Sequence, residues 1–282
     1  MLNKIFSHVS LESKSFVKLS RFIEENLGIK MPEGKKVMLE SRLQKRLKIL
    51  EYSSFEEYLN FLFSDEGMRN EYPRLIDAVT TNKTDFFREP NHFELLTNQI
   101  LTKSPFLNKK IIRLWSAASS TGEEPYTLAI VMEEFRKLHN DMDYRILASD
   151  ISQEVLDIGI KAIYNNEKIA PVPINLQKKY FLKSKDPKLQ QFRVKPELRN
   201  KISFNQINLM EPYSLAEKID IVFCRNILIY FDRTRQEKVL RRIICQMNPG
   251  GVLILGHSET ITGMDLNLTN IAATVYRANG TV

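Results

Sequence analysis

Ser116-Ala117-Ala118-Ser119-Ser120-Thr121-Gly122-Glu123-Glu124-Pro125-Tyr126 is the stretch whose reading decides the fold. Ahead of it, Ile111-Ile112-Arg113-Leu114-Trp115 has the short apolar run of a strand buried on both faces. Behind it, residues 127–135 have helical spacing, with Pro125 placed in the first turn. A strand, a loop of small residues and a helix start together predict a nucleotide-type site. The sign of the charge sets this one apart. A helix start built for pyrophosphate would not carry Glu123 and Glu124 where the phosphates sit. Two carboxylates suit a ligand that offers hydroxyls and a cation.

Working outward, the chain alternates strands and helices from about residue 105. Further strands are predicted at 144–150, 201–208, 219–224 and 252–256, with helices following Ser152 and spanning about 234–247. Pro249-Gly250-Gly251 reads as a turn, and residues 272–276 as a final edge strand. This alternation predicts an α/β fold with a parallel sheet between helices. The connection between the second and third strands is oversized. With Pro171, Pro173, Pro187 and Pro196 it implies an inserted subdomain at about 171–200, containing a small antiparallel sheet around 180–182 and 191–194. Residues 1–78 read as an all-helical domain. Phe16, Leu19, Ile23 and Leu27 share a helical face that stops at Gly28, and Leu39, Leu43, Leu47 and Leu50 mark a second helix over 35–50. A third starts near Phe55, capped by Ser53 or Ser54. Residues 79–104 form a linker segment that contributes to the site, and 105–282 the α/β domain.

The 282 residues suffice for one large domain or two moderate ones, and 43% hydrophobic content supports a substantial core. Mean hydropathy is −0.28, and no apolar run approaches the roughly 20 residues of a membrane span. The first residues lack the apolar core of a signal peptide. Cys224 and Cys245 make neither a disulfide framework nor a metal-ligand cluster, so a reduced cytoplasmic protein with no metal is expected. The net charge of +7 calls for an anionic partner, be it nucleic acid, an acidic protein surface or lipid headgroups, or serves solubility alone.

Ligands of open α/β sheets bind beyond the carboxyl ends of the strands. Glu123, Asp150, Asn208 and Asn226 are the candidates there. Asp150, ending the second strand, suits ribose hydroxyls, or else caps the next helix. Glu123 suits a ligand contact, or else the helix dipole. S-adenosylmethionine carries both hydroxyls and a sulfonium. In Thr80-Thr81-Asn82-Lys83-Thr84-Asp85-Phe86-Phe87-Arg88-Glu89-Pro90, the two phenylalanines read as core, Asn82 and Thr84 as possible helix caps, and Arg88 as a bidentate holder of a carboxylate. Cys224-Arg225-Asn226-Ile227-Leu228-Ile229-Tyr230-Phe231-Asp232 has no proline where enzymes that methylate base amino groups carry two, so no nucleic-acid substrate is expected.

Together TTNKTDFFRE (80–89), WSAASSTGEEPYTLAI (115–130), SDIS (149–152), CRNILIYFD (224–232) and PGGVLILGHSE (249–259) resemble the chemotaxis receptor glutamate methyltransferases, the CheR family. The resemblance implies a Rossmann-like methyltransferase domain, S-adenosylmethionine as cofactor with S-adenosylhomocysteine as product, and chemoreceptor glutamates as acceptors. Carried over by motif, the cofactor contacts are Asn82, Thr84, Arg88, Glu123, Asp150, Asn208, Leu209, Asn226 and Ile227, and Arg88 and Tyr230 stand nearest the reacting carboxylate. The insert resembles the β-subdomain that grips a receptor tail in some members; the glycines those members carry are missing from residues 183–191 here. The basic helix supplies Lys35, Arg42, Lys45 and Arg46 to dock the glutamate-rich cytoplasmic helices of a receptor. A cytoplasmic monomer without membrane insertion is expected. An RNA-acting enzyme and a non-catalytic cofactor-binding module are the rival readings.

Overall fold

The computed structural model describes residues 8–103, 105–139, 142–186 and 188–280; Pro187 and the first seven residues, named above, lie outside them. Two compact units result: residues 1–81 with Tyr230–Asp232, and residues 82–229 with 233–282.

The first unit is helical. In α1 (Ser13–Leu27) the expected Phe16, Leu19, Ile23 and Leu27 are buried, and Gly28 ends the helix at φ 72°, a left-handed conformation that costs glycine least. In α2 (Lys36–Ile49) Leu39, Leu43 and Leu47 recur every four residues and are buried, each contributing about 1.5–3 kcal/mol. Leu50 only caps this helix. Ser54, not Ser53, is the N-cap of α3 (Phe55–Leu62), accepting from Glu57 N. α4 (Asp65–Asn70) and α5 (Tyr72–Val79) complete the unit.

The second unit runs α6 (Asn91–Leu95), β1 (Ile111–Ala117), α7 (Glu123–Leu138), β2 (Asp143–Asp150), α8 (Gln153–Lys161), β3 (Ile163–Asn165), α9 (Asn166–Ile169) and α10 (Ile174–Tyr180). It continues with β4 (Phe181–Lys183), β5 (Gln191–Val194), α11 (Pro196–Arg199), β6 (Ile202–Gln206), β7 (Ile219–Cys224), α12 (Arg233–Cys245), β8 (Met247–Leu255), β9 (Leu268–Ala272) and β10 (Val275–Ala278). The main sheet has the order β6-β2-β1-β7-β8-β10-β9. Its first five strands are parallel, while β10 is antiparallel to both β8 and β9. All six residues of β7 are buried, as a strand covered on both faces requires.

Four expectations are corrected. The tail is a hairpin, in which β10 lies inside the sheet and β9 takes the edge. Pro249-Gly250-Gly251 lies within β8 rather than ahead of it. The small sheet, β3-β5-β4, begins at Ile163, ahead of the expected insert, because a three-residue strand shows no periodicity and is revealed only by pairing with β5. The segment 81–90 is turns and irregular backbone, so Asn82 and Thr84 cap no helix there.

The registers decide where chemistry can sit. Ala117 pairs with Ser149 and Cys224, Asp150 with Gln206, and Cys224 with Leu255, so these strands end level. β2 and β7 flank β1 on opposite sides, which makes the carboxyl end of β1 the point where strand order reverses.

Candidate functional site

Loop 118–122 leaves β1 with Ala118 at φ 63°, Ser120 at 49° and Gly122 at 95°. A Cβ on Gly122 would come within 2.9 Å of the Tyr164 hydroxyl, which donates to Thr121 O at 2.8 Å. Asp150 templates the loop from the neighbouring strand: Oδ2 accepts from Ser120 N at 2.9 Å and Oδ1 from Ser152 N at 3.1 Å. Phe87, Glu89 and Asn226 also have φ near +55°. Left-handed backbone at residues other than glycine, gathered in three segments that meet here, is the kind of strain functional sites hold.

The segment 82–89 is tied to this loop. Ser120 Oγ donates to Asn82 O at 3.0 Å, and Phe87 N donates to Thr127 Oγ1 at 3.1 Å. Phe86 is buried edge-on to Tyr164 and Phe181, 5.0 and 5.6 Å between centroids. Thr84 is buried too, and Lys168 Nζ takes its carbonyl at 2.7 Å. Arg88 directs Nη1 at Lys83 O, 3.0 Å away. Asn208 lies two residues past β6, accepting from Met210 N and donating to Glu211 Oε1, with Leu209 buried next to it. Asn226 Nδ2 donates to Glu89 Oε1 at 3.2 Å, and Ile227 is half-buried after it.

The two adjacent glutamates part company. Glu123 is 0% exposed; its Oε2 accepts from Thr121 Oγ1 at 2.6 Å and its Oε1 lies 3.0 Å from Lys168 Nζ. Its carboxylate therefore locks the small sheet's α9 to the loop. Glu124 instead accepts at 2.7 Å from Oγ of Ser116, the penultimate residue of β1, and lies 3.3 Å from Arg225 Nη1. Arg225, with 1% of its side chain exposed, bridges Glu124 and Glu89, the latter at 3.1 Å. Burial pushes the Glu124 carboxyl up, against Arg225 and Ser116, which favour its charge. Glu89 is held below the usual range: burial opposes its charge, but Arg225, Asn226 and His257 outweigh it. Glu89, His92 and His257 bring three possible metal-ligand atoms within 4.8 Å of one another. Glu89 Oε2 there already faces the Arg225 guanidinium and accepts from His257 N at 3.2 Å.

The residues fit a cationic nucleoside. Ser119 Oγ is buried without a hydrogen-bond partner among the described residues, a polar atom at the strand end that a ligand would satisfy. Asp150 and Glu124 supply the negative charge at the end of β1 that a sulfonium favours.

Residues 82–277 match the family model described as CheR methyltransferase, SAM binding domain, and residues 14–80 that described as CheR methyltransferase, all-alpha domain. The chain belongs to the CheR methyltransferase family. It is 37% identical to the chemotaxis protein methyltransferase of Borreliella burgdorferi, covering 98% of each chain. It is 39% identical to chemotaxis protein methyltransferase 2 of Pseudomonas aeruginosa, over 88% of this chain and 87% of that one. It is 34% identical to the Escherichia coli chemotaxis protein methyltransferase, over 98% and 94%. The CheR fold, with its all-helical N-terminal part, the Rossmann-like sheet and S-adenosylmethionine as cofactor, follows as the sequence predicted.

This CheR chain also brings to the strand ends residues that the motifs alone do not single out. Glu124 was visible beside Glu123, but nothing local separates their directions. Arg225 and Glu259 lie inside quoted motifs and acquire partners only through tertiary convergence. In the helical unit, three of the four docking residues make internal hydrogen bonds, Arg42 and Arg46 several each and Lys35 one. Arg46 grips Glu71 with Nε at 2.9 Å and Nη2 at 2.5 Å, and Tyr58 Oη adds a bond to the same buried carboxylate. Arg42 donates to Val79 O, Thr80 O and Thr81 Oγ1, closing the end of α5. Lys35 reaches Lys30 O, and Lys45 is exposed. Tyr230 falls with the helical unit, where its carbonyl accepts from Lys30 N at 3.0 Å.

Proposed function

We propose that this methyltransferase esterifies glutamate side chains of chemoreceptors with the methyl group of S-adenosylmethionine, in sensory adaptation, acting in the cytoplasm as a monomer. The observation that carries the reading is the match to chemotaxis protein methyltransferases over nearly the whole chain, 98% of this one and 98% of the B. burgdorferi protein. Asn82, Thr84, Arg88, Asp150, Asn208, Leu209, Asn226 and Ile227 form the proposed cofactor set. Glu124 replaces Glu123 in it, because the Glu123 carboxylate is enclosed by Thr121 and Lys168 while Glu124 lines the end of β1.

S-adenosylmethionine, when bound, supplies an electrophilic methyl group on a sulfonium. The protein's own task is light on proton chemistry. A glutamate with a pKa near 4.3 is ionised at neutral pH, so its oxygen is a nucleophile without a general base. What remains is alignment of the oxygen and exclusion of water, since an anion and a cation are cancelled as the ester forms. Arg88 and the Tyr230 hydroxyl are proposed to orient the carboxylate, on the strength of their motifs. Tyr230→Phe should then lower kcat and leave cofactor affinity nearly unchanged; loss of cofactor binding in that variant would contradict the role. Docking is assigned to Lys45 in α2 and to Lys35 at its N-cap, since Arg42 and Arg46 are occupied. The whole reading is tested by incubating the protein with methyl-labelled donor and receptor cytoplasmic domains. Label on receptor released by mild base is expected, whereas base-stable label, or label on RNA alone, would refute it.

A further inference from the structure

Glu259 is 4% exposed, and four backbone N–H groups converge on its carboxylate. Asn226 N and Gly256 N donate to Oε2 at 2.9 and 2.8 Å, Leu228 N donates to Oε1 at 2.7 Å, and Ile229 N adds a fourth bond. The carboxylate reaches them because the chain turns tightly after β8, Glu259 N donating to Gly256 O at 2.9 Å. That approach demands glycine. A Cβ at position 256 would lie 2.6 Å from Asn226 Nδ2, 3.0 Å from Asn226 N and 3.0 Å from Glu259 Oε2. Burial pushes the Glu259 carboxyl up, and the four amides oppose that by holding its charged form.

The donors belong to a segment that needs an outside template. Residues 225–229 leave β7 without a glycine or proline, and Asn226 takes φ 58°. α12 fixes the same turn from its other side, Gln236 Nε2 donating to Leu228 O at 2.9 Å.

We propose that Glu259 is a positioning residue for methyl transfer: its carboxylate is the template on which the 225–229 turn sits, and through that turn it sets Asn226 for the cofactor. The inference rests on the reading of Asn226 as a cofactor ligand. Glu259 itself touches no substrate in this role; it replaces, with one internal anion, the hydrogen bonds the turn cannot make to itself.

The test compares wild type, Glu259→Gln, Glu259→Ala and Asn226→Ala. Calorimetric titration with S-adenosylhomocysteine, kcat and KM for the methyl donor, and amide hydrogen exchange of the ligand-free proteins are the measurements. Glu259→Gln keeps the shape but turns an NH2 group toward backbone donors, so affinity should fall roughly tenfold to a hundredfold, with KM rising more than kcat falls. Exchange at Asn226, Leu228 and Gly256 should accelerate while the parallel strands keep their protection. In Glu259→Ala, added formate should restore affinity, entering through a cavity of about 110 Å³ beside the carboxylate, lined by Leu228, Gln236, Ser258 and Thr260. A residue that merely stabilised the fold would show no such rescue. Affinity within about twofold of wild type in Glu259→Gln, with loss in Asn226→Ala, overturns the proposal and leaves Asn226 as a ligand. Wild-type affinity in Asn226→Ala overturns that ligand role and the proposal with it. Global unfolding of Glu259→Gln also counts against it, because the proposal requires a folded sheet with a displaced turn.

Discussion

At the scale of single residues, the most consequential choice is between Glu123 and Glu124. Successive helix positions point about 100° apart, so two adjacent carboxylates at a helix start cannot both face the strand end. The sequence made the acidic sign of the site legible, but only the packing of Lys168 and Thr121 around Glu123 shows which one turns away. Glu124→Gln removes a charge that Ser116 and Arg225 orient, and should weaken S-adenosylhomocysteine binding by about 1.5–3 kcal/mol, roughly tenfold to a hundredfold in Kd. Glu123→Gln should leave that Kd within about threefold and act instead on stability, since it breaks the ion pair between the buried Glu123 carboxylate and the partly exposed Lys168. Titration calorimetry and denaturant melts of the two variants check both expectations. Equal loss of affinity in both would return Glu123 to the ligand set.

Among the elements, α2 shows how a charge pattern misleads when partners are unknown. Its basic residues look alike in sequence, yet they divide by what they touch. Arg46 is bidentate on a buried glutamate, so Arg46→Glu sets two carboxylates together and should cost about 3–5 kcal/mol, measured as a lower urea midpoint. Arg42→Ala should cost about 1–3 kcal/mol, because carbonyls at the end of α5 lose their donor. Lys45→Glu, by contrast, should stay within about 0.5 kcal/mol of wild type and yet slow receptor methylation most at low salt. Unchanged receptor methylation at low ionic strength would remove α2 as a docking surface. Helix spans and their buried faces were readable from period alone, as Phe16, Leu19, Ile23 and Leu27 demonstrate. The three-residue β3 was not, and residues 272–276 read as one edge strand where the chain folds into the β9-β10 hairpin, because pairing rather than period sets both.

Across the whole molecule, one buried histidine links the fold to pH. His92 is 3% exposed, hydrogen-bonded to Thr274 at 3.0 Å, and held down to about 4 by burial first and then by the Arg225 charge. The unfolded side chain titrates near 6.5, so between pH 6.5 and 4 the unfolded state binds the extra proton, and stability falls as pH drops through that window. The loss is on the order of 3 kcal/mol, and His92→Gln should flatten it; urea midpoints at pH 7, 5.5 and 4.5 for both proteins decide the point. An equally steep fall in the variant would locate the pH sensitivity elsewhere. By itself, the sequence determined the alternation of elements, the strand ends where a ligand must sit, the acidic character of that site and the family. Those follow from periodicity, loop chemistry and contiguous motifs, all of which are local properties of a chain. Only the tertiary structure decided that Glu124 rather than Glu123 lines the end of β1, that Arg42 and Arg46 are internal, and that Glu259 collects four amides from two loops. Each of those depends on which distant groups arrive beside a side chain, and local pattern sets the backbone without setting that arrival.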